Sequence, residues 1–546
     1  MSRAGEESQN EAFWRAPAPL ARRLAAIPYS WLGPRATMTL ALVAAAPFVA
    51  APALAPALLS SAPLSETLAP VAAARALAAG EAESAHAPLY MLFLLAGDMF
   101  ADAPGRVRLF AGAFAAALTA LVIAWIAAAR FPAVAAAGLT AILAGYVAAP
   151  EAGAGELGLA FFLVAAIAFL AAPACEDAPR ARIEGVLGGL CLAASWMSAP
   201  APALAGLAAL SASPFLTGRA GAQRYVAGVA TFALILGSAE LIAPGIAAER
   251  AGALPAAVST NISSRSDSAT ASSGAAVIAA LVVFAAAVFG GRAHARGWAA
   301  AAAFILLAAV AARAAGADAA PAFLFGAAIA AFSTASPFYD GIFRVHDRAS
   351  VATGALAACL VLAGTAAFVQ IAAQRLIAQH EAAVLAPAET RVALGLVHSG
   401  APRAERWIRE GRFTASEAQQ ALPLAPADQA AMLLAAAEEA RVYARYGLDV
   451  AILAGVDAAC LLGLRRTCAS DGAAATHEAA VALVPRLDLD PATAAAKVRS
   501  QAVLYTDFRL VEATPLWDVW VRRGATLPAE VAVGPSDSGG AQDSLQ

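Results

Sequence analysis

Residues 107–174 read VRLFAGAFAAALTALVIAWIAAARFPAVAAAGLTAILAGYVAAPEAGAGELGLAFFLVAAIAFLAAPA. Three strongly apolar runs, 107–129, 132–149 and 157–174, are parted only by Arg130-Phe131 and by a short Pro/Gly/Glu loop. A helix needs ~20 apolar residues to cross a bilayer, and these runs approach or reach that length. Working outward, comparable runs lie at 36–59, 184–199, 201–216, 225–244, 274–290, 298–313, 320–336 and 350–372, which makes eleven. The run 88–100 is too short to span and is expected to lie at the interface or re-enter. Composition agrees: 61% of the chain is hydrophobic and 14% charged, against about a quarter charged in soluble domains. That excludes an ordinary soluble enzyme and a disordered chain. The fold expected is an all-α polytopic membrane protein of about eleven transmembrane helices, carrying a small C-terminal extramembrane α or α+β domain.

Arginine placement orients the spans, because positive charge in short loops stays cytoplasmic. With a cytoplasmic N-terminal arm, residues 1–35, the inside loops hold Arg130; Arg180 and Arg182; Arg219 and Arg224; Arg292 and Arg296; and Arg344 and Arg348. The outside loops, 60–106, 150–156, around 200, 245–273 and 313–319, are poorer in arginine, with Arg75, Arg106, Arg250, Arg265 and Arg313 as exceptions. Counting 88–100 as a span would reverse every later loop and put the arginine pairs outside. Net charge is −3, so no basic field recruits nucleic acid. Lys497 is the single lysine, which reads as the codon bias of a GC-rich bacterial genome. The first apolar run is long enough to stay as an anchor, so no cleavable leader is expected. The location expected is a bacterial inner membrane.

An odd number of spans leaves 376–546 on the periplasmic side. Residues 376–533 form the expected C-terminal domain: 402–446 read as helix with Glu438-Glu439-Ala440-Arg441 on a solvated face, 447–500 as mixed helical, and 501–521 as strand-like alternation. Residues 534–546 have the composition of a disordered tail, and 257–273 of a polar low-complexity loop. Cys460 and Cys468 are the close cysteine pair in an oxidising compartment, placed for a local disulfide or for two free buried thiols. No Cys/His spacing suits a metal. No cofactor is therefore expected, and a divalent ion bridging carboxylate and phosphate stays open.

Chemistry-bearing residues concentrate in the outside loops. Glu66 follows the first span at the membrane surface, where a carboxylate can take a proton from an acceptor hydroxyl or amine. Ser65-Glu66 also reads as a helix N-terminus, with Ser65 as cap and Glu66 complementing the dipole. Arg75 and Arg106 suit a lipid phosphate as bidentate donors at headgroup depth, and Arg106 equally suits a snorkelling anchor. Glu240 lies near the outer end of its span as either a functional or an interfacial acid. Asp98, His294 and the Arg344/His346/Asp347/Arg348 group read as structural or topology-setting.

The order Ser65-Glu66, His86-Ala87-Pro88-Leu89-Tyr90, Arg106/Arg108 opening the next span, Glu156, and then GVLGGLCLAASWMSAP (185–200) resembles the front half of the GT-C superfamily over about residues 36–216. These are integral-membrane glycosyltransferases using polyprenyl-phosphate sugars, typified by protein O-mannosyltransferase and aminoarabinose transferase families. The resemblance implies an inverting sugar transfer on the periplasmic face, from a lipid-linked donor to an envelope lipid, glycan or protein. Glu66 and Glu156 would be the catalytic carboxylates, and His86, Tyr90, Arg75 and Arg106 would bind substrate. Ser65, Ala87 and Ser198 depart from the family's acid, proline and lysine. Two other classes stand beside it: a catalytically silent GT-C-like scaffold, and a transporter or flippase, which predicts buried charges and internal repeats that the sequence does not display.

Overall fold

The apolar runs are helical wherever the computed structural model describes them. The described residues are 34–51, 64–78, 87–101, 104–131, 133–149, 152–170, 178–242, 275–284, 295–334, 360–366, 426–462, 471–486, 489–514 and 517–527, with a few single positions between them. In chain order the helices are α1 (Pro34–Val49), α2 (Leu64–Ala78), α3 (Pro88–Asp98), α4 (Pro104–Ala127), α5 (Ala133–Val147), α6 (Ala154–Leu170), α7 (Ala178–Ser198) and α8 (Pro200–Ile242). Then follow α9 (Ala275–Phe284), α10 (Ala295–Ala314) and α11 (Ala320–Thr334). Two stretches, Arg106–Ala127 and Arg219–Ile242, are long and apolar enough to cross a membrane; the other apolar helices among the described residues are shorter. The N-terminal arm, the 257–273 loop and the tail from 534 lie outside the described residues.

The chain divides into two compact units. The first comprises residues 1–54, 86–93 and 112–372, and the second comprises 55–85, 94–111 and 373–546.

The first unit is built around α6, which is buried without interruption from Leu157 to Phe169. A helix apolar on every face has no solvent side and sits inside a bundle. Helix α7 runs back along it: Ser195 Oγ donates to Gly158 O (2.8 Å) near one end, and Gly188 lies against the Phe169 ring near the other. A Cβ on Gly158 would sit 2.6 Å from the Ala199 Cβ, so this crossing needs glycine. Helix α10 also runs opposite to α6, with Phe162 and Phe304 ring centroids 5.6 Å apart. On the other side α1 packs on α5, where Phe48 covers Gly145 and meets Phe368 edge-on at 5.5 Å.

Helix α8 is a hairpin. In a straight helix Leu210 and Gly228 would be about 27 Å apart. Here a Cβ on Gly228 would touch Leu210 Cδ1 at 3.0 Å, and Ser213 Oγ reaches Gly221 O at 3.2 Å. The chain reverses just beyond Pro214, which removes a helical amide and clashes with the preceding turn. The two arms match the separate apolar runs at 201–216 and 225–244.

The second unit holds α12 (Pro426–Ala444), β1 (Val450–Ile452), α13 (Ala458–Leu461), α14 (Gly472–Glu478), β2 (Val481–Pro485), α15 (Pro491–Asp507), β3 (Phe508–Ala513) and β4 (Trp517–Arg522). The sheet order is β1-β2-β4-β3. β1 pairs parallel with β2 (Val450↔Val481), whereas β4 pairs antiparallel with β2 (Val481↔Val521) and with β3 (Phe508↔Arg522), which is bulged between Leu510 and Glu512. Aspartates cap its helices: Asp457, Asp471 and Asp490 accept the amides of Cys460, Ala474 and Thr493. This corrects three sequence expectations. Residues 501–507 continue α15 instead of starting a strand, because Asp490 and Pro491 launch a helix that runs to Asp507. The segment 447–500 contains two strands. Within the run 438–441 Ala440 is fully buried while Glu439 and Arg441 are half-buried, so these residues lie at the edge of the core rather than on a fully solvated face.

Candidate functional site

The loops that the arginine count assigns to the outside meet at one end of the first unit. Tyr90, in the first turn of α3, donates its hydroxyl to Ala152 O at 3.4 Å. One residue on, the Gly153 amide donates to Glu156 Oε2 at 3.0 Å, the back-bond of a capping box that closes the N-terminus of α6. Gly155 faces Ala315 O so closely that a side chain would collide with it. Tyr146 donates to Asp318 O (3.0 Å), while the Asp318 carboxylate caps α11 through the Ala320 amide (3.0 Å). Buried Arg250 donates to Ser198 O (2.7 Å) and Trp196 O (3.3 Å), tying off carbonyls at the C-terminus of α7. A guanidinium thus sits on the backbone of Ser198.

Of the residues singled out in the sequence, Tyr90 and Glu156 are therefore brought onto one loop. Arg75 lies in the second unit, where Nη2 and Nε contact Asp98 Oδ1 at 2.7 and 3.0 Å. Arg106 is exposed in the first turn of α4, also in the second unit. Helix α2 begins at Leu64, which puts Ser65 one residue inside it instead of at the cap and Glu66 in its first turn. The Glu66 side chain, His86 and Cys468 lie outside the described residues. Cys460 takes part in a disulfide. Glu240 accepts the Gly245 amide at a turn where φ is +90°, a conformation glycine adopts without strain. Among the described residues no group of three or more His, Cys, Asp or Glu is placed to hold a metal ion.

At the opposite end of α6 is a cluster that sequence reading missed. Arg130 grips Glu184 with both guanidinium nitrogens, Nη2–Oε2 at 2.6 Å and Nη1–Oε1 at 3.0 Å. It also donates to Ile126 O and Ala168 O, both at 3.2 Å. Arg224 Nε reaches Oε2 at 3.1 Å and Arg180 Nε reaches Oε1 at 3.0 Å, with the Arg180 guanidinium 5.2 Å from the Trp125 ring centre. Arg130, Glu184 and Arg224 have no exposed side-chain surface. The signal was present: Glu184 stands four residues after Arg180, at the head of an apolar run, where an acid is costly unless paired.

In the second unit, burial holds the Asp457 carboxyl above its ordinary range, opposed by the amides of Ala469 and Cys460 and by Arg465 at 3.7 Å. The Tyr443 hydroxyl is pushed up to about 12 by burial and by the Glu439 and Glu512 carboxylates. An acid raised in this way binds more protons folded than unfolded. Its contribution to stability is full below about pH 3.9 and is lost as pH rises through the folded value. Hydrogen exchange of residues 450–485 in the full-length protein should therefore quicken as pH rises through that window, after correction for the intrinsic rate. Asp457→Asn should flatten the trend, while losing about 1 kcal/mol with the Ala469 bond. An unchanged slope in the variant would assign the dependence to another group.

Comparison with protein-family models, with curated proteins and with solved structures finds no match to this chain.

Proposed function

We propose that the chain is a polytopic membrane glycosyltransferase of GT-C type, with about eleven spans and an inner-membrane location. It moves a sugar from a polyprenyl-phosphate donor to an envelope acceptor on the periplasmic face. The observation that carries this reading is the polarity of the first unit. Tyr90, Glu156, Asp318 and Arg250, all from loops assigned to the outside, gather at one end of α6, and Arg130, Arg180 and Arg224, all assigned to the inside, gather at the other. The loops that arginine counting assigns to one side of a membrane thus gather at one end of the bundle, and this grouping supports the reading. The transfer chemistry is supported by the order of motifs shared with the GT-C pattern. In that chemistry the acceptor oxygen attacks C1 of the sugar, the C1–phosphate oxygen bond breaks with inversion, the acceptor proton passes to Glu66, and the polyprenyl phosphate leaves.

The scaffold reading draws on a specific observation as well: Glu156 and Arg75 are both engaged in holding the fold, on Gly153 and Asp98. Envelope mass spectrometry on wild type, a deletion strain and Glu66→Gln at equal expression separates the two. Transfer predicts that both mutants lose the same glycosyl addition and accumulate the lipid-linked sugar. An envelope altered by the deletion and untouched by Glu66→Gln would make the protein a scaffold.

A further inference from the structure

We propose that the first unit binds one acyl chain of an anionic phospholipid, in a groove at the end opposite Tyr90 and Glu156, with the lipid phosphate beside Arg219. The groove has a volume of about 730 Å³ and runs between α6, the first arm of α8 and α10. Its size falls within the range of small-molecule sites. Six alanines leave the space, and Phe162, Leu170, Phe215, Phe304 and Leu307 complete an entirely apolar lining. The lining side chains offer no hydrogen-bonding group, so the favoured occupant is a hydrocarbon chain. The groove runs from the buried pair Phe162 and Phe304 to Phe215, which is 80% exposed at its mouth.

Position selects the lipid. Helix α6 enters the groove at Phe162 and leaves it at Leu170, so the groove occupies the half of the bundle near Arg130 and Ala168. Arg130, Arg180 and Arg224 are committed to Glu184. Two other cations at this end, Arg219 and Arg182, are exposed, and Arg219 follows Phe215 by four residues. Arg296 occupies the first turn of α10, three residues before the lining Ala299. Exposed Arg219 and Arg182 at the same end as an apolar slot, on the side that arginine counting assigns to the cytoplasm, suit an acidic headgroup above a buried chain. A carrier presenting its sugar to the outer face would place its phosphate at the other end. The inference rests on the membrane reading of the chain and is independent of the transfer reaction.

The test is native mass spectrometry of the full-length protein released from nanodiscs of equal phosphatidylglycerol and phosphatidylcholine. The wild type should retain phosphatidylglycerol in preference. Arg219→Gln should lower that preference about five-fold while lipid is still retained. Ala303→Phe, which adds bulk where Ala303 is exposed in the groove, should abolish retention of both lipids, with Ala212→Leu as a milder filler from the α8 wall. Equal retention in wild type and Ala303→Phe, or no preference for phosphatidylglycerol, would overturn the proposal. So would displacement of the retained lipid by added undecaprenyl phosphate that phosphatidylglycerol cannot reverse. Carbonate washing of cell membranes separates the failures: a chain released by carbonate refutes the membrane reading, and one that stays embedded without bound lipid refutes the groove alone.

Discussion

A Glu184→Gln variant is expected to accumulate poorly in membranes and, once solubilised, to unfold well below the wild type, with a loss of about 3–5 kcal/mol. The reason is an imbalance of charge in a place without water. Among the described residues one carboxylate meets three guanidiniums, and the Glu184, Arg130 and Arg224 side chains are fully buried. Neutralising that carboxylate takes from the desolvated Arg130 and Arg224 the counter-ion they share, and this is the costly way to break a buried pair. The cluster also joins four segments: the chain just past α4, the last turns of α6, the start of α7 and the second arm of α8. Arg180→Ala should cost far less, about 1 kcal/mol, since Arg180 is 32% exposed. A combined Glu184→Leu, Arg130→Met, Arg224→Met variant should recover most of the lost stability, because apolar side chains of similar volume replace a buried ionic group at little cost. Thermal unfolding of the solubilised full-length proteins measures all three. A Glu184→Gln protein as stable as Arg180→Ala would mean that water reaches the cluster and screens it. On the proposed membrane topology there is a separate readout: removing Arg130 and Arg224 in the triple variant weakens the positive-inside signal and should give a minor fraction in inverted orientation.

That cluster also shows what a sequence can and cannot display. The apolar runs were legible because a bilayer length of hydrophobic residues is a local property, and each run is helical where described. Arginine counting, which needs no contacts, sorted the loops into two sets, and members of one set meet at one end of the first unit. Glu184 was not legible in the same way, since its partners Arg130 and Arg224 lie 54 and 40 residues away in sequence. Each of those arginines, read alone, is an ordinary loop charge. In the second unit, strands β1 and β2 were missed because both are buried on every residue, so Val450–Ile452 and Val481–Pro485 lack the apolar–polar alternation that marks a half-exposed strand. Strand β4 does alternate, buried at Trp517, Val519 and Val521, and was anticipated. The segment just before β3 misled because seven residues are too few to separate the two periods, and the decisive signal, Asp490-Pro491, stands ten residues upstream. For the candidate site, Tyr90 and Glu156 were singled out by motif order, and the fold brings both to one loop. Arg250 was invisible, because only the fold carries it to the end of α7.

Trp517→Ala should be the most damaging substitution in the second unit, costing about 3–5 kcal/mol. The indole is 2% exposed, and its Nε1 donates to Met432 O at 3.0 Å, binding β4 to α12. Its backbone is fixed as well, through the exchange of bonds with Thr514: Thr514 Oγ1 donates to Trp517 O (2.7 Å) and accepts from the Trp517 amide (2.9 Å). Truncation to alanine empties the space between helix and sheet and leaves a buried carbonyl without its donor, and these two costs add. Trp517→Phe separates them, since it keeps most of the volume and removes only the N–H. Its loss should be nearer 1–2 kcal/mol. Hydrogen exchange on the full-length protein, followed by mass spectrometry of peptides from α12 and from β3–β4, reads the two elements separately. Both should lose protection together in Trp517→Ala, as expected when one side chain bridges them. Loss confined to β3–β4 would show that α12 is held by its other buried residues, Leu433, Ala436, Ala437 and Ala440, and that the bridge is dispensable. The outcome matters beyond stability, because Ala76 of α2 and Cys460 share a buried contact in this same unit. The segment bearing Glu66 therefore folds with the C-terminal sheet. If transfer depends on Glu66, Trp517→Ala should depress it without touching a reacting group, and activity should fall in step with the protection of α12.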